Sequence, residues 1–316
     1  MIERLPIAVA DEVQAALDAD RPVVGLESTI ISHGLPRPRN LEVAGELEQL
    51  LRDAGVVPAT VGVVAGRPTV GLDAGGLEVL ASADGVAKAS VRDLPVAMAK
   101  EHHAATTVAA TAFLAEQVGI RVFATGGLGG VHRGAEATFD ESADLFALAR
   151  TPITVVCAGV KSVLDVGASL ERLETFGVTI VGYRTTAMPG FYVADSGFAL
   201  AWAVSGAEEV VEIMRSSDDL SLESALVVAN PVPRDQGLDP SLHEELLAAA
   251  VAAVERAGVR GNAVTPFLLD HIEKASGGAS LEANLAAVRN NVQVAAGIAQ
   301  LWAASKGKAG ASSNRG

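Results

Sequence analysis
Lys161 is separated from an apolar run, Pro152 to Ala158, by a single glycine and a valine, Gly159-Val160. A lysine at the carboxyl end of a strand, partly desolvated, can lose its proton near neutral pH and attack a carbonyl or an anomeric carbon. The same position also suits a lysine that snorkels outward from a helix start. Glu27 has a matching place, after Val23-Val24-Gly25-Leu26 and before Ser28-Thr29. It reads either as an acid delivered by a strand, where ligands of open α/β sheets bind, or as a helix cap or surface carboxylate.

Between them, residues 124–145 crowd Gly126, Gly127, Gly129, Gly130 and Gly134 against His132, Arg133, Glu136, Asp140, Glu141, Ser142 and Asp144. Such a stretch suits the holding of a small ligand, although a glycine cluster also serves as a plain tight connection. Asp140 and Asp144 are candidate ligands for a hard divalent cation, or the ordinary acidity of a helix N-terminus, worth ~0.3–1 kcal/mol. His33, His102, His103 and His132 show no zinc-type spacing. Each reads as a loop or hydrogen-bonded histidine, but His132 beside Arg133 can hold a phosphate. The dinucleotide spacing G-x-G-x-x-G fails after Gly127-Leu128-Gly129, and the P-loop pattern fails at Gly159-Val160-Lys161-Ser162.

These residues need elements to position them. Periodicity predicts a helix over 8–19, a strand Pro22–Leu26, a loop Ile30–Pro38 and a helix Asn40–Ala54 with Leu41, Val43, Leu47, Leu50 and Leu51 inward. A strand Ala59–Val64 opens a hairpin within Gly62–Gly76, and a small helix covers Gly76–Ala83. A helix Thr106–Gln117 and a strand Arg121–Thr125 lead into the glycine stretch. Thr138-Phe139-Asp140-Glu141 fits a capping box, which would set Asp140 and Asp144 one turn apart on one helix face. After the strand Pro152–Ala158, helices are expected at Gly159–Val166 and Leu170–Phe176, then a strand Val178–Tyr183. Thr185–Trp202 is irregular, Ala207–Arg215 helical, and Ala225–Ala229 the last strand. Helices Leu242–Ala257, Pro266–Ala275 (Thr265 as N-cap, Pro266 at N1) and Leu281–Lys306 complete the chain, the last with Leu281, Leu285, Val288, Val292, Ala295 and Trp302 on one face.

The expected fold is a three-layer α/β/α arrangement around a largely parallel or mixed sheet, with a helical C-terminal part. A single domain spans 1–306, and 307–316 reads as a disordered tail. Hydrophobic residues make up 49% of the 316 but aromatics only 4%, a composition suited to helices on a buried parallel sheet. The net charge of −14 argues against nucleic acid and anionic membranes as partners. Cys157 is the lone cysteine, so an intrachain disulfide is excluded and a reducing cytoplasm is the expected home. The N-terminal residues read as too acidic and too briefly apolar for a secretory leader, and no run approaches the ~18 apolar residues of a membrane span, so export is not expected.

Several blocks together resemble one family: Leu26 to Gly34, Arg92-Asp93-Leu94-Pro95, Ala105 to Val108, Phe123 to Glu136, Thr138 to Asp144 and Val156 to Ser162. Leu173 to Val178, Val228 to Pro233 and Thr265 to Leu269 extend the match. They are similar to the pseudouridine-5′-phosphate glycosidases, also called the indigoidine synthase A-like family. Departures are slight, such as His102-His103-Ala104 where a glycine-containing turn is expected.

The resemblance implies a lyase of the carbon–oxygen (hydro-lyase) class that reversibly cleaves pseudouridine 5′-phosphate to uracil and ribose 5-phosphate. It makes Lys161 the nucleophile, Glu27 the proton donor and Asp140 the metal residue, usually with Mn²⁺. Lys88, Val108 and Ser142 to Asp144 become substrate contacts, joined by Asn284, and His132 and Thr125 are counted with them. A homotrimer is implied as well.

The chemistry suits these groups. The bond from C1′ to uracil C5 has no lone pair for simple protonation, so lysine attack as the ribose opens, with an acid supplying C5, is the better route. Asp144 is expected at the ring oxygen. Two other classes remain open at this point: a Schiff-base sugar-phosphate isomerase or aldolase, in which uracil plays no part, and a sugar-phosphate sensor that forms no covalent adduct.

Overall fold
The computed structural model describes residues 6–260 and 264–312. In chain order, β1 (Ala8–Val9), α1 (Asp11–Asp18) and β2 (Val23–Leu26) are followed by a π-helical turn, Ile30–Gly34. Then come α2 (Arg39–Asp53), β3 (Val57–Val64), β4 (Arg67–Val70), α3 (Ala74–Ser82), β5 (Ala87–Ala89), α4 (Leu94–Ala99), β6 (Ala104–Thr106), α5 (Val108–Gln117) and β7 (Val122–Ala124). The second half holds α6 (Ala135–Thr138), α7 (Ala143–Leu148), β8 (Thr154–Cys157), α8 (Val166–Thr175), β9 (Thr179–Tyr183), β10 (Ala203–Val204), α9 (Ala207–Asp219) and β11 (Leu226–Ala229). Three helices close the chain: α10 (Pro240–Ala257), α11 (Val264–Ala275) and α12 (Ala279–Ser312).

The central strands run parallel in the order β3-β2-β7-β8-β11-β9-β10. Their apolar runs are buried on both faces, and the two-residue period sorts their side chains between two cores. Phe123, Val155, Cys157 and Val227 enter one core with α1, α5, α7, α8 and α10. Val122, Ala124, Val156 and Val228 enter the other with α2, α9 and α12. The three-layer fold follows from that alternation. The long strand β3 joins two regimes: Val57–Thr60 pairs in parallel with β2, whereas Val61–Val64 pairs antiparallel with β4 and β6. This bend brings β5, parallel to β6, and its Lys88 over the carboxyl ends of the central strands.

Several expectations are corrected. The first predicted helix begins only at Asp11, because Ala8 and Val9 pair with Thr69 and Val70. The loop after Glu27 contains the π-helical turn, and Leu41 of α2 is exposed. The two helices predicted over 159–176 are one, α8, whose Asp165 side chain accepts from the Ala168 N–H at 2.9 Å. Residues 160–165 instead form a turn, Leu164 N–H donating to Lys161, set between bridges at Val160 and Asp165, with Lys161 N–H donating to Leu128 and Asp165 N–H to Val131. Thr265 lies inside α11, not at its cap, and 261–263 lie outside the described residues. Helix α12 runs from Ala279 to Ser312, past the expected helix end at Lys306, while 313–316 lie outside the described residues. Of its predicted inward face, Leu285, Val288, Val292 and Ala295 are buried, with Leu281 and Trp302 packed at the edge.

Candidate active site
The parallel register builds the site. Leu26 pairs with Ala124 and Ala124 with Val156, so the residues just beyond these strand ends meet at one edge of the sheet. There the Thr125 hydroxyl donates to Glu27. Glu27 is only 9% exposed, and desolvation raises its carboxyl above the usual range, partly opposed by the nearby Lys161 charge and the Thr125 hydrogen bond. Burial thus favours the protonated acid.

Lys161 is set by lacing two loops together. Leu128 N–H donates to Gly159 at 2.9 Å, and Lys161 N–H returns to Leu128 at 3.0 Å. Gly159 has φ +84° and lies against Pro189, where an added Cβ would stand 2.2 Å from the carbonyl oxygen, so only glycine fits.

The capping box at Thr138 does not form. Thr138 ends α6, Phe139 turns the chain with φ +55°, and Glu141 bridges to Val131 in extended conformation while its carboxylate accepts from Arg172 at 2.6 Å. Ser142 caps the next helix, α7, by accepting from the Asp144 N–H at 3.2 Å. Asp140 and Asp144 therefore do not share a helix face. Asp140 lies in the loop, whereas Asp144 is buried, its two oxygens accepting from Ala109 N–H at 2.9 Å and Gly129 N–H at 2.8 Å. This carboxylate ties the glycine stretch to the start of α5. Asp144→Ala is expected to lower stability by about 1–3 kcal/mol for each buried N–H left without an acceptor, read as a reduced urea midpoint. A midpoint equal to wild type would contradict this anchoring role.

One continuous cleft has two lobes that share Glu27, Thr29, Lys88, Lys161 and Thr265. The first lobe is walled by Ile30, Phe191, Tyr192, Leu269 and Asn284. The second is polar, with Ser90, Arg92, His132, Asp140, Ser142 and Asp144. The lysine and the acid thus stand where an apolar, aromatic-walled lobe meets one suited to a sugar phosphate.

A family model described as indigoidine synthase A like protein matches residues 12–301. The chain belongs to the indigoidine synthase A-like family. It is 59% identical to a pseudouridine-5′-phosphate glycosidase of Saccharopolyspora erythraea, over 95% of this chain and 98% of that one. Among solved structures it resembles the prealnumycin C-glycosynthase AlnA in complex with ribulose 5-phosphate (TM-score 0.88, 35% identity, 96% and 98% of the two chains). It also resembles an indigoidine synthase A-like protein from Thermotoga maritima (TM-score 0.86, 35% identity, the same coverage).

The other residues expected from the family pattern fall around this cleft. Lys88 faces it from β5, and desolvation together with Lys161 lowers its pKa. Val108 buries its side chain in the core, leaving its backbone at the start of α5 to face the cleft. Asn284, on α12, keeps a buried Oδ1 with no hydrogen-bond partner among the described residues, an acceptor available to a ligand N–H. His132 is half-buried, and desolvation lowers its pKa, so it offers a neutral imidazole rather than a cation. Arg133 turns away to donate to the Ser162 carbonyl at 3.3 Å, so the pair does not form a joint phosphate grip.

Among the described residues no cluster of three or more His, Cys, Asp or Glu could enclose a metal. Asp140 has His132 Nδ1 at 3.9 Å, and Glu141 is engaged by Arg172. That donor set fits only a hard cation that keeps most of its water and meets one protein carboxylate.

Phe191 was not legible as a site residue. It lies in the irregular segment with φ +65°, its ring against Gly127, where a Cβ would come within 2.6 Å of it. Bare backbone at Gly127 therefore serves the aromatic wall, not a phosphate. Gly129 is bare for another reason, since a Cβ there would stand 2.1 Å from Ser142 Oγ and 2.6 Å from Asp144 Oδ2. Gly129→Ala is expected to displace both and to raise KM for ribose 5-phosphate severalfold; unchanged kinetics would contradict this packing.

Proposed function
We propose that the protein reversibly cleaves pseudouridine 5′-phosphate to uracil and ribose 5-phosphate through a Schiff base on Lys161. The carrying observation is the meeting of Lys161 and Glu27 at the junction of the two lobes. The high identity to glycosidases of that name over nearly the whole chain supports the reading.

Uracil lies in the lobe of Phe191 and Asn284, and the ribose phosphate in the polar lobe. The Lys161 nitrogen pair attacks C1′ and the C1′–O4′ bond breaks, the proton released by that nitrogen passing to O4′ on the Asp144 side and leaving the nitrogen a free pair. Glu27 then delivers its proton to uracil C5. The C1′–C5 pair returns to the uracil ring as the nitrogen pair completes the C1′ iminium, and water hydrolyses that iminium to free the sugar and Lys161. Lys88, with Ser90 and Arg92, offsets the phosphate charge in a chain that is acidic as a whole.

Asp140 would hold a divalent cation, Mn²⁺ by family resemblance, which supplies positive charge beside the sugar phosphate. We place the enzyme in the cytoplasm as a homotrimer; among the described residues no helix is long and apolar enough to cross a membrane. Light scattering should give about three times the 32.2 kDa chain mass; a monomeric mass would overturn the assembly. For the reaction itself, mixing uracil with ribose 5-phosphate should consume uracil and yield pseudouridine 5′-phosphate on chromatography. Uracil left unchanged, with the sugar phosphate converted, would overturn the assignment in favour of sugar-only chemistry.

A further inference from the structure
The proposed reaction leaves a reactive pair in the cleft. When uracil departs, Lys161 carries an iminium to C1 of the open ribose, and Glu27 has just lost its proton to uracil C5. Both side chains line the junction of the lobes. The Thr125 hydroxyl engages one oxygen of Glu27, and no other hydrogen bond to this carboxyl forms among the described residues. A carboxyl that reaches the uracil carbon bonded to C1 faces the same junction as C1, and C2 is the other carbon neighbour of C1. The C2–H beside an iminium is acidic, because the electron pair left on C2 spreads onto nitrogen.

We infer that Glu27 diverts part of this iminium into a stable ketoamine on Lys161, so that ribose 5-phosphate alone inactivates the enzyme and uracil protects it. The inference rests on the Schiff-base reading above. In the first step the Glu27 carboxylate takes the C2 proton, the C2–H pair becomes the C1=C2 bond, and the C=N π pair returns to the Lys161 nitrogen. In the second, C1 takes a proton back from Glu27, while the C2 hydroxyl gives its proton to water and becomes a carbonyl. Carbon C1 is reduced as C2 is oxidised, so no external redox partner is needed. The product joins C1 to Lys161 by a C–N single bond that water does not hydrolyse as it does an imine. Bound uracil prevents this route in two ways: its C5 captures the iminium, and it occupies the space through which Glu27 reaches C2.

The test is incubation of the enzyme with ribose 5-phosphate in D₂O without reductant, followed by acid quenching, peptide mass mapping and analysis of the recovered sugar. The expected result is progressive loss of uracil coupling that matches a stable adduct on the Lys161 peptide, with deuterium at C1 of that adduct and at C2 of the released ribose 5-phosphate, and all of these effects suppressed by uracil. Glu27→Gln should still give a borohydride-trappable adduct yet acquire no stable adduct and no deuterium. Retained activity with no stable adduct overturns the inference while leaving the Schiff-base reading intact, provided borohydride still traps Lys161. Absence of any trappable adduct overturns both. A stable adduct that forms equally in Glu27→Gln, or despite uracil, overturns the role of Glu27.

Discussion

Lys161→Met is expected to reduce turnover in both directions by on the order of 10⁴-fold or more, since groups that act as a unit cannot substitute for one another. Methionine keeps much of the length and the apolar contact but has no amine. Lys88 lines the same cleft, yet it comes from β5 on another wall and is placed with Ser90 and Arg92. Its loss in Lys88→Met is expected to raise KM for the sugar phosphate more than it lowers kcat. Steady-state kinetics with both variants separates a nucleophile from a phosphate partner. Near wild-type kcat for Lys161→Met would remove this lysine from the reaction.

Glu27→Gln has the second largest expected effect, a loss of about 10²–10⁴-fold in C–C bond cleavage, the usual worth of a positioned acid. Glutamine preserves volume and can still accept from the Thr125 hydroxyl, so the change isolates the proton. The pH dependence has a definite sign. Burial raises the Glu27 pKa in the folded protein above its ordinary 4.5, so cleavage kcat/KM should fall as pH rises through the raised value. The same shift means that the folded state binds this proton more tightly than the unfolded state. Glu27 therefore contributes stability at acid pH that is lost as pH rises from 4.5 through the folded pKa. Glu27→Gln should accordingly be at least as stable as wild type at neutral pH while far less active. A lower thermal midpoint together with unaltered cleavage would contradict both parts.

The strands were readable because the apolar runs of β2, β7, β8 and β11 are buried on both faces, which leaves hydrophobicity as the dominant local signal. Their carboxyl ends then pointed to Glu27 and Lys161 by simple sheet logic, while the roles of those residues came from family resemblance. Local rules failed where long-range contacts decide the backbone. Thr138 to Glu141 has the letters of a capping box, but the bridge from Val131 to Glu141 and the Arg172 ion pair hold the chain away from helix. Residues 160–165 have helix-compatible composition, yet the hydrogen bonds to Leu128 and Val131 pin both ends and leave only a single turn between them. At His102-His103-Ala104, the turn expected to hold glycine is made by Glu101 with φ +53°. Phe191 had no signal in its own segment. A hint of its place lay 64 residues upstream, in a glycine whose absent side chain makes room for its ring.

The glycine stretch likewise has several duties. Gly127 lies under an aromatic wall, Gly129 admits the Asp144 carboxylate, and Gly130 lies against Ser169, where a Cβ would stand 2.2 Å from Oγ. None of these requires a nucleotide, in keeping with the failed spacing tests. The stretch forms a floor, and Glu27 and Lys161 are carried to it by the neighbouring strands.

Borohydride reduction during incubation with ribose 5-phosphate reports on the covalent step itself. Peptide mapping should place one reduced sugar-phosphate adduct on Lys161, with none on Lys88 and none on Lys161→Met. An adduct mapped to Lys88, or no adduct in an enzyme that still couples uracil to the sugar, would contradict it.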